Sequence, residues 1–193
     1  MEFLVTMTTR VPDRVTDAEV ADVRAREAAH SAELAQQGRL RRLWRPPLAP
    51  GEWRTLGLFA ADDAEDLENV LASMPLRIWR TDEVTELGVH PNDPGAGQVA
   101  LDPGSSEYFT TFVQIGRPGD ELIAAEARRT RELAAEGSLV RLWRLPGDGR
   151  NLGNWQAPDA AVLEKIVNNL PMAPVLSVDI VALTRHPSDP GLT

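Results

Sequence analysis

The sequence predicts an α+β fold in which one β-α-β-β-α-β unit occurs twice. LRRLWR at residues 40–45 returns as LVRLWR at residues 139–144, and the echo extends well beyond the tryptophans. AREAAHSAELAQQGRLRRLWR (residues 25–45) lies over AAEARRTRELAAEGSLVRLWR (residues 124–144), so that Glu27 meets Glu126 and Gly38 meets Gly137. After a three-residue deletion in the following loop, RTLGLF (54–59) matches RNLGNW (150–155), and HPNDPG (90–95) returns as HPSDPG (186–191). A repeat of roughly ninety residues is a whole domain copied once, because solenoid periods run to about 20–50 residues.

Each element of the unit has a local cause. EFLVTMTTRV is rich in β-formers and partly alternating, which reads as a strand that Pro12 and Asp13 break. Thr16-Asp17-Ala18-Glu19 is a capping-box pattern opening a long helix that ends at Gly38, a residue suited to the left-handed C′ position. LRRLWR and WRTLGLFA read as the second and third strands. Asp62 and Asp63 open a short helix through about Ser73, and TDEVTELGV closes the unit as a strand. The second copy repeats the order: EYFTTFVQI, a helix from about Gly119 to Glu136, LVRLWRL, RNLGNWQ, a helix from Pro158 to Asn169, and LSVDIVALTR.

That order is the ferredoxin-like arrangement, an antiparallel sheet with two helices on one face. The open sheet face needs a cover, and two copies in one chain supply it by packing sheet on sheet, an internal version of the dimeric α+β barrel. The expected division is repeat 1 at residues 1–94, a linker rich in Pro, Gly and Ser at 95–106, and repeat 2 at 107–193.

Composition narrows the function. The formal net charge of -9 argues against a nucleic-acid partner, since phosphate binding draws on a basic face. Cysteine is absent, which removes disulfide and thiolate chemistry and fits a reducing compartment. The N-terminus lacks a basic stretch followed by a long apolar core, and no run is apolar enough to span a membrane, so a cytoplasmic location is expected. Arginines greatly outnumber lysines, and a planar guanidinium suits a carboxylate ligand as well as a surface pair.

The long helix carries the sharpest chemical signal. Val20, Val23 and Leu34 form an apolar stripe, and Glu27 sits in its middle; the second copy repeats the interruption with Glu126 between Leu122 or Ile123 and Leu133. Two roles fit a carboxylate there. Burial raises a carboxyl pKa into the range useful for a general base, or the group turns sideways into a structural ion pair with an arginine on the neighbouring strand.

Arg45 and Arg144 are candidates to hold an anionic substrate group. Trp44 and Trp143 wall a pocket or cover core area, and His30, one turn from Glu27, is a further binding candidate. Because Arg128 and Arg129 flank Glu126, its pKa is expected to be depressed, which leaves proton transfer to Glu27 and binding to Arg144 and Trp143. His90 and His186 precede proline at the end of the last strand and read as turn residues; two lone histidines make no metal constellation. Nucleotide-binding glycine loops, Ser-His-Asp order and zinc spacing are missing.

The residues resemble the muconolactone Δ-isomerase family. FLV-M near the start, Ala25-Arg26-Glu27-Ala28, Glu33-Leu34, Gly38, Leu43-Trp44-Arg45, Pro75 within residues 71–76 and Glu83-Val84-Thr85 through His90-Pro91 carry the likeness over residues 1–94. Residues 107–191 keep it more distantly, in Glu126, Leu142-Trp143-Arg144, Leu170-Pro171 and Arg185-His186-Pro187. The resemblance implies a ferredoxin-like fold, cofactor-free isomerisation of an unsaturated lactone by 1,3-proton transfer, and assembly into a homo-oligomer. The chain departs from the pattern in being two fused copies. It carries His30 at a family tyrosine position, matched by Arg129 in the second copy, and Thr6 where a basic residue is expected.

The expected activity is movement of a carbon-carbon double bond in a lactone or related enol or dienone. Glu27 and Glu126 would be proton carriers, and the substrate a small anionic or carbonyl-bearing molecule. Two alternatives stay open: a cyclase or cofactor-free monooxygenase of the same barrel type acting on a polycyclic aromatic intermediate, and a binding protein without turnover.

Overall fold

The structure is a computed structural model and describes residues 1–192. Its elements are β1 (Glu2–Thr9), α1 (Asp17–Gln36), β2 (Leu40–Arg45), β3 (Arg54–Ala60), α2 (Ala64–Ser73), β4 (Arg80–Val89), β5 (Ser106–Gln114), α3 (Asp120–Ala135), β6 (Leu139–Arg144), β7 (Arg150–Ala157), α4 (Ala160–Asn168) and β8 (Leu176–Arg185). The β-α-β-β-α-β order is present twice. Short 3-10 turns at Pro75–Trp79 and Ala173–Val175 precede the last strand of each copy, a pair of elements the sequence pattern did not announce.

Local chemistry accounts for the boundaries. Thr16 and Glu19 complete the reciprocal capping box at the start of α1, and Gly38 adopts φ +70° just past its end. Asp63 and Asp159 cap α2 and α4 through their side chains. In β1 burial alternates strictly, so Phe3, Val5 and Met7 face the core with Leu34 of α1 and Leu67 and Leu71 of α2. Tyr108, Phe112, Leu133, Leu163 and Val167 form the equivalent core of the second copy.

β1 and β2 flank β3, and β5 and β6 flank β7, all antiparallel. The hydrogen-bonded strand order β1-β3-β2-β8-β5-β7-β6-β4 closes on itself, which is the strand order of an α+β barrel. The glycine shared by the two copies of β3 and β7 has a steric reason. A Cβ on Gly153 would stand 2.4 Å from Trp155 Nε1 and 2.7 Å from Thr110 Oγ1, so only glycine leaves room for the indole N–H to reach that hydroxyl at 2.8 Å.

The chain divides into two compact units that are not the sequence repeats. Unit 1 holds residues 1–86 and the C-terminal residues from 185 on; unit 2 holds residues 87–184. The His-Pro tail of each repeat therefore belongs to the unit built from the other repeat.

Candidate active site

Each unit contains a cavity between its long helix and the helix-facing side of its strands, with residues of the exchanged tail in its lining. In unit 2 the cavity measures about 430 Å³, and Glu126 of α3, Arg144 of β6, His90 of the tail, Phe112 and Trp155 line it. Its counterpart in unit 1 measures about 300 Å³ and is lined by Glu27, Arg45, His186, Arg24, Trp53 and Arg80 among others. The duplicated glutamates thus do face cavities, together with the duplicated arginines.

The tails are seated by a buried ion pair that the sequence reading missed. Asp93 accepts from Arg141 Nε at 3.1 Å, from Arg141 Nη2 at 3.0 Å and from the Leu142 backbone N–H at 2.8 Å. Asp189 does the same with Arg42 (Nε 3.0 Å, Nη2 2.9 Å) and the Leu43 N–H (2.9 Å). A register shift in β2 and β6, between Leu40 and Arg42 and between Leu139 and Arg141, accompanies this placement. Each clamping guanidinium also lies over the tryptophan two residues on, at 4.8 Å for Arg42 on Trp44 and 4.7 Å for Arg141 on Trp143.

The duplicated Trp is explained by that stacking. Trp44 is 0% and Trp143 2% exposed. Strand alternation puts Leu43 and Arg45 towards the cavity of unit 1 and Trp44 on the other face, so neither tryptophan lines its cavity. The pocket-wall role expected of Trp44 and Trp143 is replaced by a packing role under the clamp. His30 is also outside the cavity lining: its ring nitrogens meet Glu33 at 3.1 Å and Ser73 Oγ at 2.8 Å, tying α1 to the end of α2.

The two histidines read as turn residues are what the clamps position. The Asn92 N–H donates to His90 Nδ1 at 3.1 Å, and the Ser188 N–H to His186 Nδ1 at 3.1 Å, which leaves the neutral ring with its proton on Nε2. Burial, then the neighbouring Arg144, lowers the His90 pKa; burial, then Arg45, takes His186 down to about 4. Both rings are therefore neutral hydrogen-bond donors near pH 7. Their echo in HPNDPG and HPSDPG was the signal, and its repetition in both tails could have marked it as more than a turn.

The two carboxylates are not equivalent. Each accepts one backbone N–H, Leu76 to Glu27 at 2.8 Å and Met172 to Glu126 at 2.9 Å. Glu27 also accepts from Arg80 Nη1 at 3.2 Å, and Arg80 Nη2 reaches Asp82 at 3.0 Å, with Arg77 bonded to that same Asp82. At the matching positions of the second copy stand Leu176 and Val178.

The expectation that Arg128 and Arg129 depress the Glu126 pKa is overturned. Arg129 turns outward to Glu132 and Glu136 at 3.0 Å, Arg128 is exposed, and burial raises the Glu126 pKa. Residues three positions apart on a helix surface are neighbours, and the exposed glutamates offer Arg129 a pair without desolvation.

Arg45 and Arg144 have no ion-pair partner among the described residues, so each cavity keeps an unspent guanidinium. Groups of three or more metal-ligating side chains are absent among the described residues. Likewise no helix there is long and apolar enough to cross a membrane.

Comparison with known proteins places this geometry. The family model described as muconolactone delta-isomerase matches residues 1–93 and 117–189. A muconolactone Δ-isomerase of Rhodococcus opacus is 36% identical over 70 residues, covering 36% of this chain and 75% of the relative. Muconolactone Δ-isomerase 1 of Acinetobacter lwoffii is 34% identical over 93 residues, covering 48% of this chain and 93% of the relative. Among solved structures, a heme-binding protein of Thermus thermophilus shares the fold at a TM-score of 0.58 and 12% identity, over 97% of this chain and 93% of that one. With a family match across both copies, around the two glutamates and the two His-Pro tails, the chain belongs to the muconolactone Δ-isomerase family and is an isomerase of the muconolactone type.

Proposed function

We propose that the chain moves a carbon-carbon double bond in an unsaturated lactone by carboxylate-mediated 1,3-proton transfer, each half (residues 1–94 and 107–193, joined by 95–106) being one copy of the family's single domain. That a full-length relative is spanned by about half of this chain supports the division. The observation that carries the reaction is Glu126. It is half-buried, its carboxylate accepts the Met172 N–H and has no ion-pair partner among the described residues, burial raises its pKa, and it lines one cavity with His90 and Arg144.

In that cavity the ionised Glu126 takes a proton from carbon α or γ to the lactone carbonyl. The C–H electron pair spreads into a dienolate, and the protonated carboxyl returns the proton at the other end of the allylic system. The His90 Nε2–H, fixed by the bond to Nδ1, is the donor suited to the developing enolate oxygen, and its lowered pKa keeps it from becoming the acid that protonates the base. Arg144 holds a carboxylate on the substrate. No step calls for a cofactor. Muconolactone, named in the relatives, is the first substrate to test in D₂O. Glu126→Gln is expected to lower turnover and solvent-deuterium incorporation by about 10²-fold or more. Unchanged turnover in a folded Glu126→Gln chain sinks the assignment.

A further inference from the structure

The two cavities differ at three linked positions. Arg80 of unit 1 stands where unit 2 has Leu176, Arg24 where it has Ile123, and Trp53 where it has Gly149; all six line their respective cavities. Arg80 is almost fully buried and bonds Glu27, so that carboxylate is spent on an internal ion pair. Both oxygens of Glu27 are occupied, Oε1 by Arg80 Nη1 and Oε2 by the Leu76 N–H, and withdrawing this carboxylate from Arg80 would leave the guanidinium with one partner fewer in a buried setting.

The other two replacements add charge to the cavity. Arg24 lies over the Trp53 ring at 5.4 Å and, like Arg45, has no ion-pair partner among the described residues. Both guanidiniums act on His186 in the direction that keeps it neutral. With Glu27 offset by Arg80, and His186 uncharged, the cavity of unit 1 is lined by two uncompensated guanidiniums and one neutral imidazole donor. That set suits a carboxylate, or a lactone bearing one, and lacks a free base.

Resting on the isomerase reading above, we propose that unit 1 is a carboxylate-binding site that holds its ligand without moving a proton, and that isomerisation belongs to unit 2 alone. Arg80, with Asp82 behind it, is the residue that separates the two functions. Leu176 and Val178 leave Glu126 free of any such pair.

The test uses the full chain and two readouts. Calorimetric titration with a saturated γ-lactone bearing an acetate side chain, which has no double bond to move, is expected to saturate at two molecules per chain. Arg24→Ala with Arg45→Ala should leave one. Glu126→Gln should keep both binding equivalents while muconolactone turnover falls about 10²-fold. Adding Arg80→Leu and Asp82→Val, which removes one charge of each sign and copies unit 2, should return at least about tenfold of the lost turnover through Glu27.

Saturation at one molecule in the wild type overturns the binding site. Half of wild-type turnover surviving in Glu126→Gln overturns the division of labour, and that result stands even where the triple variant does not fold. A folded triple variant without recovery overturns the role of Arg80. A wild-type chain that binds two ligands but never exchanges a proton refutes the isomerase reading while supporting the site in unit 1.

Discussion

Replacing Asp93 tests whether the exchanged tail is held by its clamp. In the wild type the carboxylate takes both Arg141 nitrogens and the Leu142 N–H, and both side chains are close to nine-tenths buried. Asp93→Ala leaves Arg141 and a buried backbone N–H unpaired. Breaking a buried pair costs about 3–5 kcal/mol, and with a tenth of each side chain still in water the low end applies, about 3 kcal/mol. For a chain of this size about 1 kcal/mol corresponds to roughly 2–4 °C, so melting should fall by about 6–12 °C. Asp93→Asn keeps an acceptor for the Leu142 N–H and loses only the charge, and should fall by about half as much. The Asp93 N–H also bonds the His90 carbonyl at 3.0 Å, so both variants should lose turnover as the imidazole loosens. Melting followed by circular dichroism beside a turnover assay reads both effects. An alanine variant within about 2 °C of wild type, or one indistinguishable from asparagine, would refute the clamp.

Glutamine at the two carboxylates should act in opposite directions. The stability Glu126 contributes is present below its unfolded pKa and is lost as pH rises through its raised folded value, so Glu126→Gln should melt higher than wild type at pH 8. Glu27→Gln withdraws the charge facing buried Arg80 and should melt lower, by on the order of 1–3 kcal/mol; equal shifts in both variants would contradict the ion-pair difference. His186 behaves as a depressed base: the unfolded chain takes its proton near 6.5 and the folded one only near 4. Stability is therefore full above 6.5 and falls between 6.5 and 4, by about 1–2 kcal/mol once solvent screening of a ring only partly buried is allowed for. His186→Asn should flatten that slope in denaturation curves taken across the range, and an unchanged slope would count against it.

The duplication, the element order and the two cavity-facing glutamates were legible in the sequence, because helical period, strand alternation and capping patterns act over a few residues and leave a local trace. The capping box at Thr16 and the left-handed Gly38 were likewise written locally. What only the tertiary structure decided concerns groups distant in sequence. Arg80 reaches Glu27 across 53 residues, whereas Arg129, three residues from Glu126, turns to other partners. The His-Pro tails had a visible echo, yet their position over the other repeat's cavity follows from strand order and from buried Asp–Arg pairs that no periodicity encodes. Spacing along a helix fixes which face a side chain occupies. The partner it meets, and so whether its carboxylate is a base or half of an ion pair, depends on which residue a remote strand places opposite it and on the desolvation cost of each alternative.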